Sequence, residues 1–230
     1  MFTNVNLSAP LGAMAFVGSG FLLLVAALVF IYGLLSRRLG IARLVVVLAV
    51  VGAVLYFGTL LVFSFASRDE LLARGQEKHF CEIDCHLAYS IVDVQQAKTI
   101  GNPGNQTTAD GNFYVITVKT RFDENTINPT RGNGPLTPNS RVLSVTDDQG
   151  RTFVPSLAGE DALCRSEGLG TPLTTALRPG ESYLTRIVFD LPAGIDHPTL
   201  LMREGEWVKH FVIGHENSPL HKKTRFQLVV

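Results

Sequence analysis

The chain has 230 residues, 20 Lys/Arg against 20 Asp/Glu, and a mean hydropathy of +0.22. A balance of zero gives no electrostatic footprint for nucleic acid. The neutrality is a sum of unlike parts, however, because residues 1–66 hold no Asp or Glu and only three basic residues, Arg37, Arg38 and Arg43.

Those arginines separate two apolar runs at about 13–35 and 41–65. Each run reaches the ~20 residues that a helix rising 1.5 Å per residue needs to cross ~30 Å of hydrocarbon. Neither run has a polar face, as a soluble helix would, and neither has an ionisable residue at its centre, as an ion or proton path would. Nothing before Ala13 is basic, which argues against a cleaved signal peptide. The pattern predicts a transmembrane hairpin over 1–66 with a cytoplasmic arginine turn, by the bias of basic residues toward that side. The expected location is a cell inner membrane, multi-pass with two helices, with the N-terminus and everything beyond about Ser67 periplasmic. Small residues in both runs (Gly18, Ser19, Gly20, Ala26, Ala27 and Gly33; then Ala49, Gly52, Ala53 and Gly58) leave two readings open: hairpin self-packing, or reception of a helix from another subunit.

Residues 67–79 begin with a charged stretch rich in helix formers and read as a juxtamembrane stalk. From 80 to 230 the period changes. Short β-branched and aromatic runs at 87–94, 113–121, 141–145, 152–154, 182–191, 200–202, 207–213 and 225–230 alternate with Gly, Pro, Asn and Asp clusters. Asp147-Asp148-Gln149-Gly150 reads as a hairpin turn. Two connections, 99–112 and 123–139, read as long irregular docking loops. The fold class expected is a membrane-anchored all-β protein: a two-helix hairpin followed by an immunoglobulin-like antiparallel β-sandwich.

The succession FYVITVKTRFDENT (113–126), SVTDDQGRTFVPS (144–156) and ALRPGESYLTRIVFDLP (176–192) resembles a group of bacterial extracytoplasmic immunoglobulin-like domains of unknown function. The resemblance spans about residues 87–202 and implies a fold without implying an activity. A two-helix anchor departs from that group, whose members are held by a lipid or a single helix.

Reactive residues concentrate in HFCEIDCH (79–86). Cys81, Cys85 and Cys164 all follow the hairpin, so an oxidising compartment favours a structural disulfide. Cys81–Cys85 bond if the stretch turns tightly; if it is extended, one of them pairs with Cys164. Cys-x3-Cys-His also resembles the dinuclear copper loop of cytochrome oxidase subunit II. Here the cysteines open the β-domain instead of closing it, position 89 is Tyr, and the only Met after the hairpin is Met202. His215 and His221 border a second polar loop. A copper or zinc site using Cys81, Cys85, His86, His215 or His221 is thus the alternative to no cofactor at all. No G-x-S-x-G, H-E-x-x-H, P-loop or dinucleotide motif is present. The functional expectation is a non-enzymatic accessory subunit that docks on other integral membrane subunits, of a respiratory or photosynthetic complex for example, and stabilises the assembly. The alternatives are a metal redox module and an envelope ligand-binding or sensing protein. Nothing in the sequence points to a small-molecule ligand or a nucleic acid.

Overall fold

The computed structural model describes residues 3–4, 9–80, 86–126 and 131–229. Two long helices come first, α1 (Ala9–Leu35) and α2 (Leu39–Ala66). Arg37 turns the chain between them with a left-handed backbone (φ 55°), and Arg38 N–H donates to Gly33 O at 2.7 Å. Gly33 allows a close approach there: a Cβ would lie 3.2 Å from Ala42 N near the start of α2. Apart from such contacts the hairpin is bare: of the most apolar window in each helix, 0% and 6% is buried.

The remainder forms two five-stranded sheets stacked as a β-sandwich. One has the order β1 (Thr3–Asn4), β3 (Lys78–Phe80), β4 (Leu87–Ile100), β5 (Thr107–Phe122), β8 (Ser182–Leu191). The other has β2 (Glu70–Leu72), β10 (Thr224–Gln227), β9 (Thr199–Glu204), β6 (Arg141–Thr146), β7 (Thr152–Phe153). Pairing is antiparallel except for β1–β3 and β2–β10. Alternation along the strands does the sorting: Tyr89, Ile91, Ile116, Val118, Phe122, Phe189, Leu200, Met202 and Phe226 turn inward and fill the space between the sheets.

Four expectations are corrected. The stalk is no stalk: Leu72 is 1% exposed, and β2 and β3 are strands of opposite sheets, so residues from Glu70 onward are part of the sandwich. The connection 99–112 is not an irregular loop. β4 and β5 form one long hairpin whose pairing continues to Ile100–Thr107, and only residues 101–106 turn, with Gly101 and Gly104 at positive φ. Third, a helix was missed. α3 (Leu157–Ser166) starts at Ser156, whose Oγ accepts from Gly159 N–H at 3.2 Å. It lies on the outer face of the first sheet through Ala162 and Leu163, against Phe113, Val115 and Val188. Fourth, the segment 207–213 is not a strand; Trp207–Phe211 is a 3-10 turn.

That turn belongs to a larger feature. Contacts divide the chain into two compact units: the sandwich, and a second unit made of Asn6–Arg68 together with Trp207–Lys222. β9 and β10 are neighbours, with Phe226 opposite Leu200 and Gln227 opposite Thr199. Residues 207–222 are therefore an excursion from a β9–β10 hairpin, and they pack with α1 and α2. A Cβ on Gly12 of α1 would fall 2.0 Å from Ile213 O, so the excursion's backbone lies directly on that helix. Tyr56 of α2 donates its hydroxyl to Phe211 O at 2.7 Å.

Candidate functional site

β3 is short and reads Glu77-Lys78-His79-Phe80 around its length, so strand alternation sends Glu77 and His79 to one face and Lys78 and Phe80 to the other. Each face organises a polar cluster.

On the outer face, His79, Ala88 and Arg121 lie in one row across β3, β4 and β5. The small Ala88 side chain in the middle lets the long side chains of the flanking strands meet above it. Arg121 grips Glu77 with both arms, Nε to Oε1 at 2.8 Å and Nη2 to Oε2 at 2.7 Å. Arg121 Nη2 also lies 3.2 Å from Asp123 Oδ2. His79 Nε2 meets the same oxygen at 3.1 Å. Asp123 Oδ1 accepts from Asn125 N–H at 3.0 Å, and Asp123 N–H donates to His86 O at 2.7 Å. Burial pushes the Asp123 carboxyl up, but Arg121, His79 and the Asn125 N–H outweigh it and hold the group at about 2. The Arg121 hydrogen bonds likewise hold Glu77 below the usual carboxylate range. Ligand atoms of Glu77, His79 and Asp123 lie within 4.8 Å of one another, the one such metal-compatible group among the described residues. The guanidinium already supplies a cation to both carboxylates, so the arrangement is an ion-pair network binding β3 to β5 across β4.

On the inner face, Lys78 is wholly buried and crosses the sandwich. Its Nζ donates to Met202 O at 2.7 Å and Thr224 O at 3.0 Å, on β9 and β10 of the opposite sheet. Arg141 and Glu204 pair nearby at 3.4 Å with both side chains buried, and the Arg141 guanidinium sits 4.3 Å from the centre of the Phe80 ring. Sequence reasoning missed both clusters. The available signal was the alternating Glu77–Phe80 pattern opposite Arg121-Phe122-Asp123, which only strand pairing turns into proximity.

The predicted site residues are dispersed. Cys81 and Cys85 fall outside the described residues. Cys164 is a free, exposed thiol on α3, so the alternative in which it pairs with Cys81 or Cys85 is not formed. The reason is placement: the helix presents that side chain to solvent, opposite the Ala162–Leu163 face. His86 is buried and stacks on Phe122 with ring centres 5.0 Å apart. His215 and His221 belong to the other compact unit. There His215 Nδ1 accepts from Asn217 N–H at 2.9 Å, while His221 Nδ1 lies 2.7 Å from Lys222 O. The structure therefore does not bring His86, His215 and His221 into one described metal group. Arg37 and Arg38 lie in the turn between α1 and α2, and Arg43 lies inside α2 near its start.

The small residues of the hairpin divide unevenly. Gly33 serves the approach of α1 to α2, and Gly12 the approach of the excursion. Cβ atoms on Gly18, Gly20, Gly52 and Gly58 would meet nothing within 4 Å. Between the helices runs an apolar groove of about 650 Å³, lined by Ser19, Gly20, Ala49, Gly52 and Ala53 and closed at one end by Tyr56 and Phe211.

No family model matches this chain, and no curated protein matches it. Among solved structures the chain is similar to MPT63, a secreted protein of Mycobacterium tuberculosis, at 12% identity over 70% of this chain and 99% of that one (TM-score 0.43). It is similar to an uncharacterized β-sandwich protein from Clostridium difficile 630 at 8% identity, covering 71% and 96% of the two chains (TM-score 0.40). The yjhA protein of Bacillus subtilis is a further neighbour, at 13% identity and 68% and 99% coverage (TM-score 0.42). Likeness at this level transfers no function to this chain.

Proposed function

We propose that α1 and α2 anchor the chain in a membrane, with Arg37, Arg38 and Arg43 on the cytoplasmic side and the immunoglobulin-like sandwich on the other. There it acts as a non-catalytic accessory subunit of a larger integral membrane complex. The observation that supports the anchor is exposure. Between Arg43 and Thr59 no residue of α2 is buried, although that stretch is almost wholly apolar. The core helix of a soluble protein buries such surface; leaving it in water costs about 25 cal/mol for each Å². The open groove with its small residues supports docking of a further helix there, since the hairpin does not use those residues to close on itself.

Cys164 offers a direct test of sidedness, because it is exposed and free. In intact cells, a membrane-impermeant maleimide is expected to label the chain, and Cys164→Ser to remove that part of the label. Labelling of Cys164 only after cell lysis sinks the topology. The accessory role is tested by purification in mild detergent: co-purifying integral membrane subunits are expected, and a stable, partner-free monomer counts against it.

A further inference from the structure

We infer that the excursion Trp207–Lys222 is an interfacial element that rests in the outer headgroup region of a phospholipid bilayer and sets how deep the hairpin sits. The inference depends on the anchor reading above and adds a lipid-facing site to it. It begins with length. α2 has 28 residues and so extends about 42 Å, well beyond the ~30 Å of a hydrocarbon layer. Starting from the arginine turn, a span of ~20 residues runs from Leu39 to Gly58 on α2 and from Leu35 back to Phe16 on α1. The helices change character at that level. Below it α2 has no buried side chain past Ala42; above it Leu60 is 2% exposed and Ser64 is 0% exposed, one helical turn apart on one face.

The excursion sits at this same boundary. Phe211 accepts the Tyr56 hydroxyl through its carbonyl and lines the groove end with Phe16, Tyr56 and Phe57. Trp207 packs edge-on against Phe211, ring centres 5.9 Å apart, and is 71% exposed. Trp, Tyr and Phe are thus gathered in one band about 25–30 Å from the Arg37-Arg38 turn, near the level where an amphipathic aromatic ring is most favourable in a bilayer. Past Phe211 the excursion turns polar: His215, Glu216, Asn217 and Ser218 are buried, with Asn217 N–H donating to His215 Nδ1 at 2.9 Å and Ser218 Oγ to Val212 O at 2.5 Å. An apolar, exposed aromatic end beside a hydrogen-bonded polar body is the distribution that an interface between acyl chains and headgroups selects.

Trp207 is the only tryptophan, so its fluorescence reports this site alone. The full chain is reconstituted in phosphatidylcholine–phosphatidylglycerol vesicles, and the lipids are brominated either near the top of the acyl chain or near its end. Expected are a blue-shifted emission, strong quenching by the shallow bromines, weak quenching by the deep ones, and little loss to aqueous iodide. Full iodide quenching with no effect of either bromolipid overturns the inference, as does strongest quenching by the deep bromines. Flotation of the same vesicles separates the two readings: a chain that floats with Trp207 in water refutes the interfacial element alone, and one that fails to float refutes the anchor. A second reporter, Trp207→Phe with Tyr56→Trp, is expected to give the same shallow depth, since the two residues share one level.

Discussion

Asp123 is the residue on which the outer cluster converges, accepting from His79, Arg121 and Asn125 and tying its own N–H to His86. Its folded-state value of about 2 lies below the 3.8 of an unperturbed carboxyl, so its contribution is complete above about pH 4 and is lost as pH falls through 2. That contribution is ~1–2 kcal/mol once solvent screening is allowed for. Asp123→Asn is therefore expected to lower the melting temperature at pH 7 and to flatten the acid limb of stability between pH 4 and 2. An unchanged acid limb would show that another carboxylate governs it. Lys78 poses a different problem, because its charge lies between the sheets and its two carbonyl partners sit on β9 and β10. Lys78→Ala removes both charge-assisted bonds and leaves a cavity, at a cost on the order of 3 kcal/mol. A urea midpoint within error of the parent chain would show that the crossing lysine contributes nothing.

At the scale of elements, glycine positions decide how closely neighbours approach. A Cβ on Gly159 would lie 2.6 Å from Val188 Cγ1 and 3.0 Å from Phe113, so α3 rests on β5 and β8 through a bare backbone. Gly159→Ala gains helix propensity of about 1 kcal/mol but overpacks a site whose neighbours are themselves buried. Net destabilisation of about 1–2 kcal/mol is expected in thermal unfolding, and a raised melting temperature would show that α3 can slide outward. Elements of this kind also show what the sequence could disclose. β8 was legible at both ends because Tyr183, Ile187 and Phe189 alternate cleanly and Arg178-Pro179-Gly180-Glu181 supplies a turn with Gly180 at φ 79°. The Asp147–Gly150 turn was legible for the same reason: Asp147 accepts from the N–H groups of Gln149 and Arg151. α3 was not, since only Gly159, Ala162 and Leu163 of its ten residues are buried and that stripe is too thin to register as a period. The outer cluster was hidden because Glu77 and Arg121 are 44 residues apart and meet only across Ala88. Trp207–Ile213 has the composition of a strand, but its partners are helices distant in sequence: Phe211 O takes the Tyr56 hydroxyl of α2, and Ile213 lies against Gly12 of α1.

At the scale of the molecule, the two units are interleaved in the chain, and this changes how the sandwich can be separated from its anchor. Removing residues before Ser67 takes away the short edge strand β1 together with α1 and α2 but leaves Trp207–Lys222, which packs with the two helices. Val212 and Ile213 would lose the close approach to Gly12 of α1, and Phe211 O the Tyr56 hydroxyl. The β9–β10 register carried back from Phe226–Leu200 and Gln227–Thr199 sets Thr224 opposite Met202 and Lys222 opposite Glu204. A two-residue Asn-Gly turn fits between Glu204 and Lys222, as in other tight hairpins. A chain of residues 67–230 with Gly205–His221 replaced by Asn-Gly is therefore expected to be a soluble monomer that unfolds cooperatively. The same truncation with the native excursion is expected to aggregate or to bind detergent, because its helix-facing side is uncovered. Size-exclusion chromatography with and without detergent compares the two. Identical monomeric behaviour of both would mean that the excursion stands on its own and owes nothing to the hairpin. A clean difference would identify residues 207–222 as part of the anchor, carried by the sandwich on a β-hairpin.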